Sequence, residues 1–276
     1  MEEKNLHYPV AAVNVETNLS PVVPSWPRTP IGEYLIAWEQ ARLDAMLTDI
    51  FGYNALQVGL AQIDLLRASR MPLRAACVAQ SDKISASARR IVRCDGEALP
   101  FASNSLDLVV LAHELEFSAI PHQLLREAER VLVAEGSVVV CGFNPYSLWR
   151  FRRSQQSQWP WCGRYFSAAR VRDWLTVLGF EVQSSQFGCY MPPVESPEWL
   201  GRWKWLDHVG RRCWPMCGAA WILHGIKRVR GARLIQPNWR EKSTRARNLS
   251  AVARKLGEPG NLPGKVSEKT GETWKP

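Results

Sequence analysis

The first candidate for chemistry is an acidic turn that follows a short apolar run. Asp95, Gly96 and Glu97 come directly after residues 91–94. A carboxylate at the carboxyl end of a strand in a parallel sheet lies at the edge where such sheets bind ligands. Asp95 could there accept a hydrogen bond from the amino group of a purine. The alternative is structural, because Asp-Gly is a common turn pair and Asp95 would then cap its own turn.

The second candidate is a histidine flanked by glutamates, just after the apolar run 106–111. The ordinary pKa of an imidazole is about 6.5, so His113 could act as a general base near neutral pH. Glu114 or Glu116 could take the same role. The alternative for His113 is a loop residue that faces solvent and has no part in chemistry.

The elements around these residues alternate between strands and helices. Short apolar runs predict strands at 55–59, 73–79, 91–94, 106–111 and 137–142. Helical spacing predicts helices at 62–69 and 122–133, and residues 81–89 form a loop or a short helix. Continuous apolar strands that alternate with helices are typical of a parallel sheet covered on both faces.

The chain before the first strand divides into two parts. Residues 1–30 contain five prolines and little periodicity, which predicts a flexible N-terminal segment. An amphipathic helix is predicted over 31–50, with Thr29 as its N-cap and Pro30 at its first position.

The second half of the chain is rich in tryptophan, since most of the 13 tryptophans lie after Trp149. A helix at 168–178 and strands at 180–187 and 219–229 surround a tryptophan-rich insertion, 190–218. This insertion could be a lid packed over the sheet edge. It could also contact a membrane surface, because Trp beside Lys and Arg suits the membrane interface. Single-stranded nucleic acid is a third candidate partner.

The net charge of +9 is concentrated near the end of the chain. Residues 236–276 carry nine Lys or Arg and four Asp or Glu, so they account for +5 of the total. Few apolar residues occur there, which predicts a basic, disordered tail. The tail could be simply solvated, or it could attract nucleic acid or an anionic membrane weakly.

The cysteines and the hydropathy pattern indicate the compartment. The seven cysteines form no CxxC pair and several lie in apolar runs, which predicts reduced, buried thiols and a cytoplasmic protein. Their spacing from histidines does not suit a metal site, so we expect no metal. The first residues lack the apolar core of a signal peptide, and no run is long enough to span a membrane.

Two motifs resemble those of class I S-adenosylmethionine-dependent methyltransferases of the type 11 family. The run CDGEALPFASNSLDLVV, residues 94–110, resembles the family's acidic turn, its E-x-L-P-F motif and its S-F-D-x-V strand. The run LREAERVLVAEG, residues 125–136, resembles its L-x-E-x-x-R-V-L-x-x-G-G helix and turn. The resemblance covers 53–144. It implies a methyltransferase-like α/β domain at 31–235 with a Rossmann-like sheet: mostly parallel, with an antiparallel closing strand and helices on both faces.

The glycine-rich loop departs from this family. The family's L-D-x-G-x-G-x-G loop aligns with LQVGLAQI, residues 56–63. Gln57 therefore stands in place of the acid, and Gly59 is the one glycine retained. Ala61 and Ile63 replace the other two, and a β-branched residue cannot easily adopt a positive φ.

The resemblance implies S-adenosylmethionine as cofactor and names the residues around it. We expect cofactor contacts from Gln57, Gly59, Ala61, Asp82, Asp95, Gly96 and Glu97. Asp82 would serve the ribose hydroxyls, or else cap a helix. His113 is the candidate catalytic residue.

The function implied is methyl transfer to an unidentified acceptor. The alternative is a methyltransferase-fold protein without activity that acts as a binding or regulatory module, for example at a membrane surface. The altered loop at 57–63 is the feature that separates the two.

Overall fold

The computed structural model describes residues 26–78, 90–153, 160–193, 202–203 and 205–229. All of them belong to the first of two compact units, residues 1–231. Most of the predicted flexible segment, together with Asp82 and the basic tail, lies outside the described residues. The last part of the predicted flexible segment is ordered, because Trp26–Arg28 form a 3-10 helix and Trp26 is buried in the core.

Seven strands form one sheet in the order β3-β2-β1-β4-β5-β7-β6. They are β1 (Asn54–Val58), β2 (Leu73–Val78), β3 (Arg90–Arg93), β4 (Leu106–Ala112), β5 (Leu132–Phe143), β6 (Phe180–Gly188) and β7 (Ala220–Lys227). The first five strands pair in parallel, and β7 runs antiparallel to both β5 and β6. The predicted Rossmann-like sheet is confirmed.

Helices cover both faces of this sheet. They are α1 (Pro30–Leu47), α2 (Pro121–Val131), α3 (Arg150–Arg153), α4 (Ala168–Val177) and α5 (Trp205–Cys213). α1 packs on one face, against buried residues of β1, β4 and β5. α2 and α4 pack on the other. α1 begins as predicted, with Pro30 in the first turn and the Thr29 hydroxyl accepting a hydrogen bond from Gly32 N. Within the described ranges, no helix is both long and apolar enough to span a membrane.

The helix predicted at 62–69 does not form. Turns occupy this stretch, after a reversal at Gly59 (φ 85°) and Leu60 (φ 44°). Leu65 and Leu66 are buried in the same core cluster as α1. The apolar spacing that predicted a helix therefore reflects side chains that fold inward from a loop.

The two motifs that carry the family resemblance are bound to each other. Glu127 of α2 accepts a hydrogen bond from Leu99 N (3.1 Å) and pairs with Arg130 at 2.8 Å. Arg130 in turn donates to the carbonyl oxygens of Leu99 and Phe101, both at 2.9 Å. The hydrogen bond from Arg130 lowers the pKa of Glu127. This pair thus holds the loop between β3 and β4 against α2.

Cys77 and Cys94 form a disulfide between the carboxyl ends of β2 and β3, with their Cα atoms 5.9 Å apart. The prediction of reduced thiols was wrong for this pair, because parallel pairing of β2 with β3 brings together cysteines that are 17 residues apart. Cys141 and Cys189 are buried free thiols. In the described ranges, no group of three or more His, Cys, Asp or Glu side chains has a geometry suited to a metal ion.

Lys227, the last residue of β7, joins the sheet to the carboxyl end of α2. Its Nζ donates to the carbonyl oxygens of Glu129 (2.7 Å) and Leu132 (2.8 Å), and lies 3.0 Å from the Glu129 carboxylate. Lys227 is only 8% exposed. A cation here also opposes the negative end of the helix dipole.

We expect Lys227→Met to lower the free energy of unfolding by about 1–3 kcal/mol, because carbonyl groups that are shielded from water lose their donor. Urea unfolding followed by circular dichroism would measure the change. Arg228→Met is the matched control, since the neighbouring Arg228 pairs with Glu135 and Glu181 on the surface. Exposed ion pairs stabilise little. Equal losses of unfolding free energy in the two variants would therefore contradict a stabilising role for the buried Lys227 contacts.

Candidate functional site

The strand order of the sheet reverses between β1 and β4. In open parallel sheets, ligands bind outside the carboxyl ends of the strands at this point of reversal. Loops after β1, β3 and β4 meet there, and they carry most of the residues that the sequence singled out.

The Glu114 carboxylate lies between two glycines at this edge. A Cβ atom on Gly59 would lie 2.9 Å from Glu114 Oε2, and one on Gly96 would lie 3.6 Å from Oε1. Gly59 also passes so close to β4 that its Cβ would be 2.3 Å from the Ala112 carbonyl oxygen. Together with its positive φ, this approach requires glycine at position 59. The one glycine retained from the family's loop is thus the one that the strand geometry demands.

The side chain of Gln57 bonds to backbone groups of the loop that follows β1. Its Nε2 lies within hydrogen-bond distance of the carbonyl oxygens of Gly59 (3.0 Å), Leu60 (3.1 Å) and Ile63 (3.0 Å). Its Oε1 accepts a hydrogen bond from Leu65 N at 3.1 Å. The side chain of Gln57 is fully buried. It therefore stabilises the loop that replaces the missing helix, and its amide does not point out of the sheet edge toward a ligand.

Two further residues of this loop pack into the protein interior. Ala61 is buried in a small cluster with Ala76 and Val78 of β2. Ile63 is half-buried against the cluster that contains α1. Both replacements of the family's glycines thus contribute apolar contacts.

Asp95 and Glu97 both take part in local structure after β3. Asp95 is exposed, and its Oδ1 accepts a hydrogen bond from Glu97 N at 3.1 Å, as the turn interpretation predicts. Glu97 Oε1 accepts hydrogen bonds from Ser118 Oγ (2.6 Å) and Ile120 N (2.9 Å). Glu97 therefore links the loop after β3 to the loop after β4. The exposed carboxylate of Asp95 still lies at the edge where a ligand would bind.

His113 lies in a buried ionic cluster with two carboxylates. Its Nε2 is 2.7 Å from Glu39 Oε1, and its Nδ1 is 3.8 Å from Glu116 Oε1. The three residues are at most 2% exposed, so the alternative of a solvent-facing histidine was wrong. Glu116 Oε1 also accepts a hydrogen bond from Phe143 N at 2.6 Å.

The surroundings of His113 favour its charged form. Burial by itself lowers the pKa of His113, but Coulombic attraction to Glu39, the hydrogen bond to Glu39 and the nearby Glu116 carboxylate outweigh it and raise the pKa to about 10. The Phe143 ring lies 4.1 Å from the imidazole and stacks on Tyr165 at 5.1 Å. Among the described residues, Glu39 Oε2 and Glu116 Oε2 have no hydrogen-bond partner. The cluster ties α1 to the ends of β4 and β5.

Glu39 and the position of Glu114 were not predicted from the sequence. Glu39 did leave a signal, because it lies four residues from both Leu35 and Leu43 on the buried stripe of α1. A carboxylate on such a stripe requires a buried partner. Glu114 was named only as an alternative base, because its place between Gly59 and Gly96 depends on the register of the strands.

The comparison with protein families bears on this same edge. Residues 58–140 match the family model described as a methyltransferase domain. Over these residues the chain matches the type 11 methyltransferase family. The match begins at the last residue of β1 and ends within β5, so it includes the loops that surround Glu114.

Two similar proteins extend the comparison. The chain is 33% identical over 161 residues to the uncharacterized protein YafS of Escherichia coli K12, a match that covers 57% of this chain and 65% of YafS. It is 27% identical over 177 residues to the uncharacterized protein Rv2003c of Mycobacterium tuberculosis H37Rv, which covers 61% of each. The chain thus spans less than two thirds of the length of these relatives.

Solved structures share the fold of this chain. The protein paired with the Trm112 methyltransferase activator of Haloferax volcanii has a TM-score of 0.55 at 15% identity, over 75% of this chain and 96% of its own. A SAM-dependent methyltransferase from Archaeoglobus fulgidus has a TM-score of 0.52 at 16% identity, over 69% of this chain and 94% of its own. At these identities the likeness shows the fold alone.

Proposed function

We propose that this domain binds S-adenosylmethionine and transfers its methyl group to an acceptor that is not yet identified. The observation that carries the proposal is the Glu114 carboxylate between Gly59 and Gly96, at the reversal point of a type 11 methyltransferase sheet. A carboxylate at this edge offers a partner for the positive charge of a ligand.

The residues at this edge fit the cofactor in part. Glu114 would pair with the ammonium group of the methionine moiety, in place of the acid that Gln57 has replaced. Asp95 would accept from the adenine amino group. Gln57 and Ala61 would contribute backbone groups only, since their side chains point into the protein. The predicted contact from Asp82 lies outside the described residues, and the one from Glu97 stays a prediction.

The cofactor supplies an electrophilic methyl group when bound, and the protein would act chiefly by holding the acceptor in line with it. His113 is a poor base in the structure described, because its neighbours keep the imidazole protonated at neutral pH. Its role as a catalytic residue stays a prediction and requires that the cluster first lose a proton. Glu114, at the edge itself, is better exposed to a ligand.

Isothermal titration calorimetry with S-adenosylmethionine and S-adenosylhomocysteine tests the proposal. We expect Glu114→Gln to weaken binding about tenfold or more, because a charge-assisted hydrogen bond contributes about 1.5–3 kcal/mol. Asp95→Asn should weaken it less, since a neutral amide can still accept a hydrogen bond from adenine.

Asp173→Asn is the matched control, because Asp173 is an exposed carboxylate on α4. Binding should be unchanged in this variant. Absence of heat from wild-type protein at about 100 μM would contradict the proposal, as would equal affinities for wild type and Glu114→Gln.

A second candidate function follows from the Gln57 loop. The side chain of Gln57 is bonded within its own loop. In a methyltransferase fold that binds no cofactor, such a loop would serve stability alone. The protein would then be a binding or regulatory module, and the titration would show no binding by a folded protein. The weak contact of the tail with an anionic membrane or nucleic acid, and the cytoplasmic location, also stay predictions.

A further inference from the structure

The loop after β5 and the segment before β7 form an exposed surface of aromatic, apolar and basic side chains at the carboxyl edge of the sheet. We call it the aromatic–basic surface. Its apolar members are Tyr146 (69% exposed), Leu148 (49%), Phe151 (74%), Trp205 (55%), Trp214 (59%) and Met216 (70%). Its exposed basic members are Arg150, Arg202, Arg211 and Arg212. Large apolar side chains on a monomer surface are usually scattered, so six of them on two adjoining segments indicate a binding surface.

The two segments that form this surface are joined by Asn144. Its Nδ2 donates to the carbonyl oxygens of Met216 (2.7 Å) and Gly218 (2.9 Å). Its Oδ1 accepts a hydrogen bond from Tyr146 N at 3.1 Å. The loop after β5 and the loop after α5 are therefore fixed side by side, which places Tyr146 next to Met216.

The other face of α5 is anchored to the domain. Asp207 Oδ1 accepts hydrogen bonds from Tyr34 Oη on α1 (2.5 Å) and from Tyr190 N (3.0 Å). Gly210 is buried, and a Cβ there would lie 2.4 Å from the Tyr190 ring. Asp207 and Gly210 thus face the domain, whereas Trp205, Arg211 and Arg212 of the same helix are exposed.

The charge on this surface has one sign. Within the described parts of 144–151 and 202–217 there are four arginines and one acid. That acid is Asp207, whose carboxylate is already bonded to Tyr34 and to the backbone of Tyr190. The four arginines therefore give this surface a net positive charge, which favours an anionic partner.

We infer that the aromatic–basic surface docks on the headgroup region of an anionic lipid membrane. Trp and Tyr rings prefer the membrane interface, where one end of the ring is apolar and the other is hydrated. Guanidinium groups form bidentate hydrogen bonds with phosphate groups such as those of lipids. α5 would lie in the plane of the interface, with Trp205, Trp214 and Met216 entering the boundary of the acyl chains. The inference does not depend on cofactor binding.

Co-sedimentation of the full chain with lipid vesicles tests this docking. We expect binding to vesicles of about three parts phosphatidylcholine to one part phosphatidylglycerol, and much weaker binding to phosphatidylcholine alone. Trp214→Ser/Met216→Ser should weaken binding to the anionic vesicles about tenfold or more. Arg211→Gln/Arg212→Gln should do the same and make the remainder less sensitive to salt.

Control substitutions come from the α2 and α4 face. Val177→Ser removes an equally exposed apolar side chain (86% exposed), and Arg126→Gln/Arg170→Gln removes two exposed charges. Both should bind vesicles like wild type. Circular dichroism would check that each variant is folded.

Three results would overturn the inference. The first is a wild-type protein that does not bind anionic vesicles. The second is unchanged binding in both surface variants, which would assign the binding to the basic tail. The third is loss in the control variants equal to that in the surface variants, which would indicate attraction by net charge alone.

Discussion

Glu39→Ala should lower the free energy of unfolding by about 3–5 kcal/mol, because it leaves the buried charge of His113 without its closest partner. Glu39 is fully buried, and its Oε1 lies 2.7 Å from His113 Nε2. Glu116 cannot replace it, because Glu116 Oε1 is 3.8 Å from the other ring nitrogen and already accepts a hydrogen bond from Phe143 N. Urea unfolding followed by circular dichroism would measure the loss.

The pH dependence of stability is a second readout of the same contact. The pKa of His113 is raised in the folded protein to about 10, above the ordinary value near 6.5 expected on unfolding. The stability that this shift contributes is full below about pH 6.5 and is lost as the pH rises through about 10. Wild type should therefore become less stable between pH 7 and pH 10 than it is at pH 6, and Glu39→Ala should show a shallower decline.

Glu33→Ala is the matched control, since Glu33 is an exposed glutamate on the same helix. It should change stability by well under about 1 kcal/mol, the size of a helix-dipole effect. Similar losses at positions 33 and 39, or a wild-type stability that does not fall with alkaline pH, would contradict the buried ionic cluster.

Gln57→Glu should cost about 2–4 kcal/mol of stability, although it restores the type of residue that this position has in the family. The carboxylate cannot donate to the carbonyl oxygens of Gly59, Leu60 and Ile63, which now surround Nε2 at 3.0–3.1 Å. The two N–H donors shared among these carbonyl groups would be lost, and the oxygens would face a buried negative charge. The change would be measured by urea unfolding at pH 7.

Gln62→Glu is the control for Gln57→Glu, because Gln62 is exposed in the same loop. It should leave stability within about 0.5 kcal/mol of wild type. A Gln57→Glu protein as stable as wild type would show that the loop can open and turn position 57 toward a ligand. In that case the sealed loop would no longer support the alternative of an inactive module.

Much of the fold could be predicted from the order of apolar runs. β1, β2, β4 and β7 lie within two residues of the predicted bounds, because a strand buried on both faces must be continuously apolar. The resemblance of the two motifs predicted a mostly parallel sheet with an antiparallel closing strand, and the Glu127–Arg130 contacts show that these motifs lie against each other in the fold. The prediction of a helix at 62–69 was wrong. The leucines of this loop point into the core at a spacing that also fits one face of a helix.

The site could be predicted only in outline. By itself, the sequence determined which residues follow the strands: Gly59 after β1, Asp95 after β3 and His113 after β4. The tertiary structure decided what those residues do, because their partners come from distant parts of the chain. Glu39 reaches His113 from α1, 74 residues away. Glu114 meets Gly59 and Gly96 only because three parallel strands end at one edge, while the amide of Gln57 turned inward to bond its own loop.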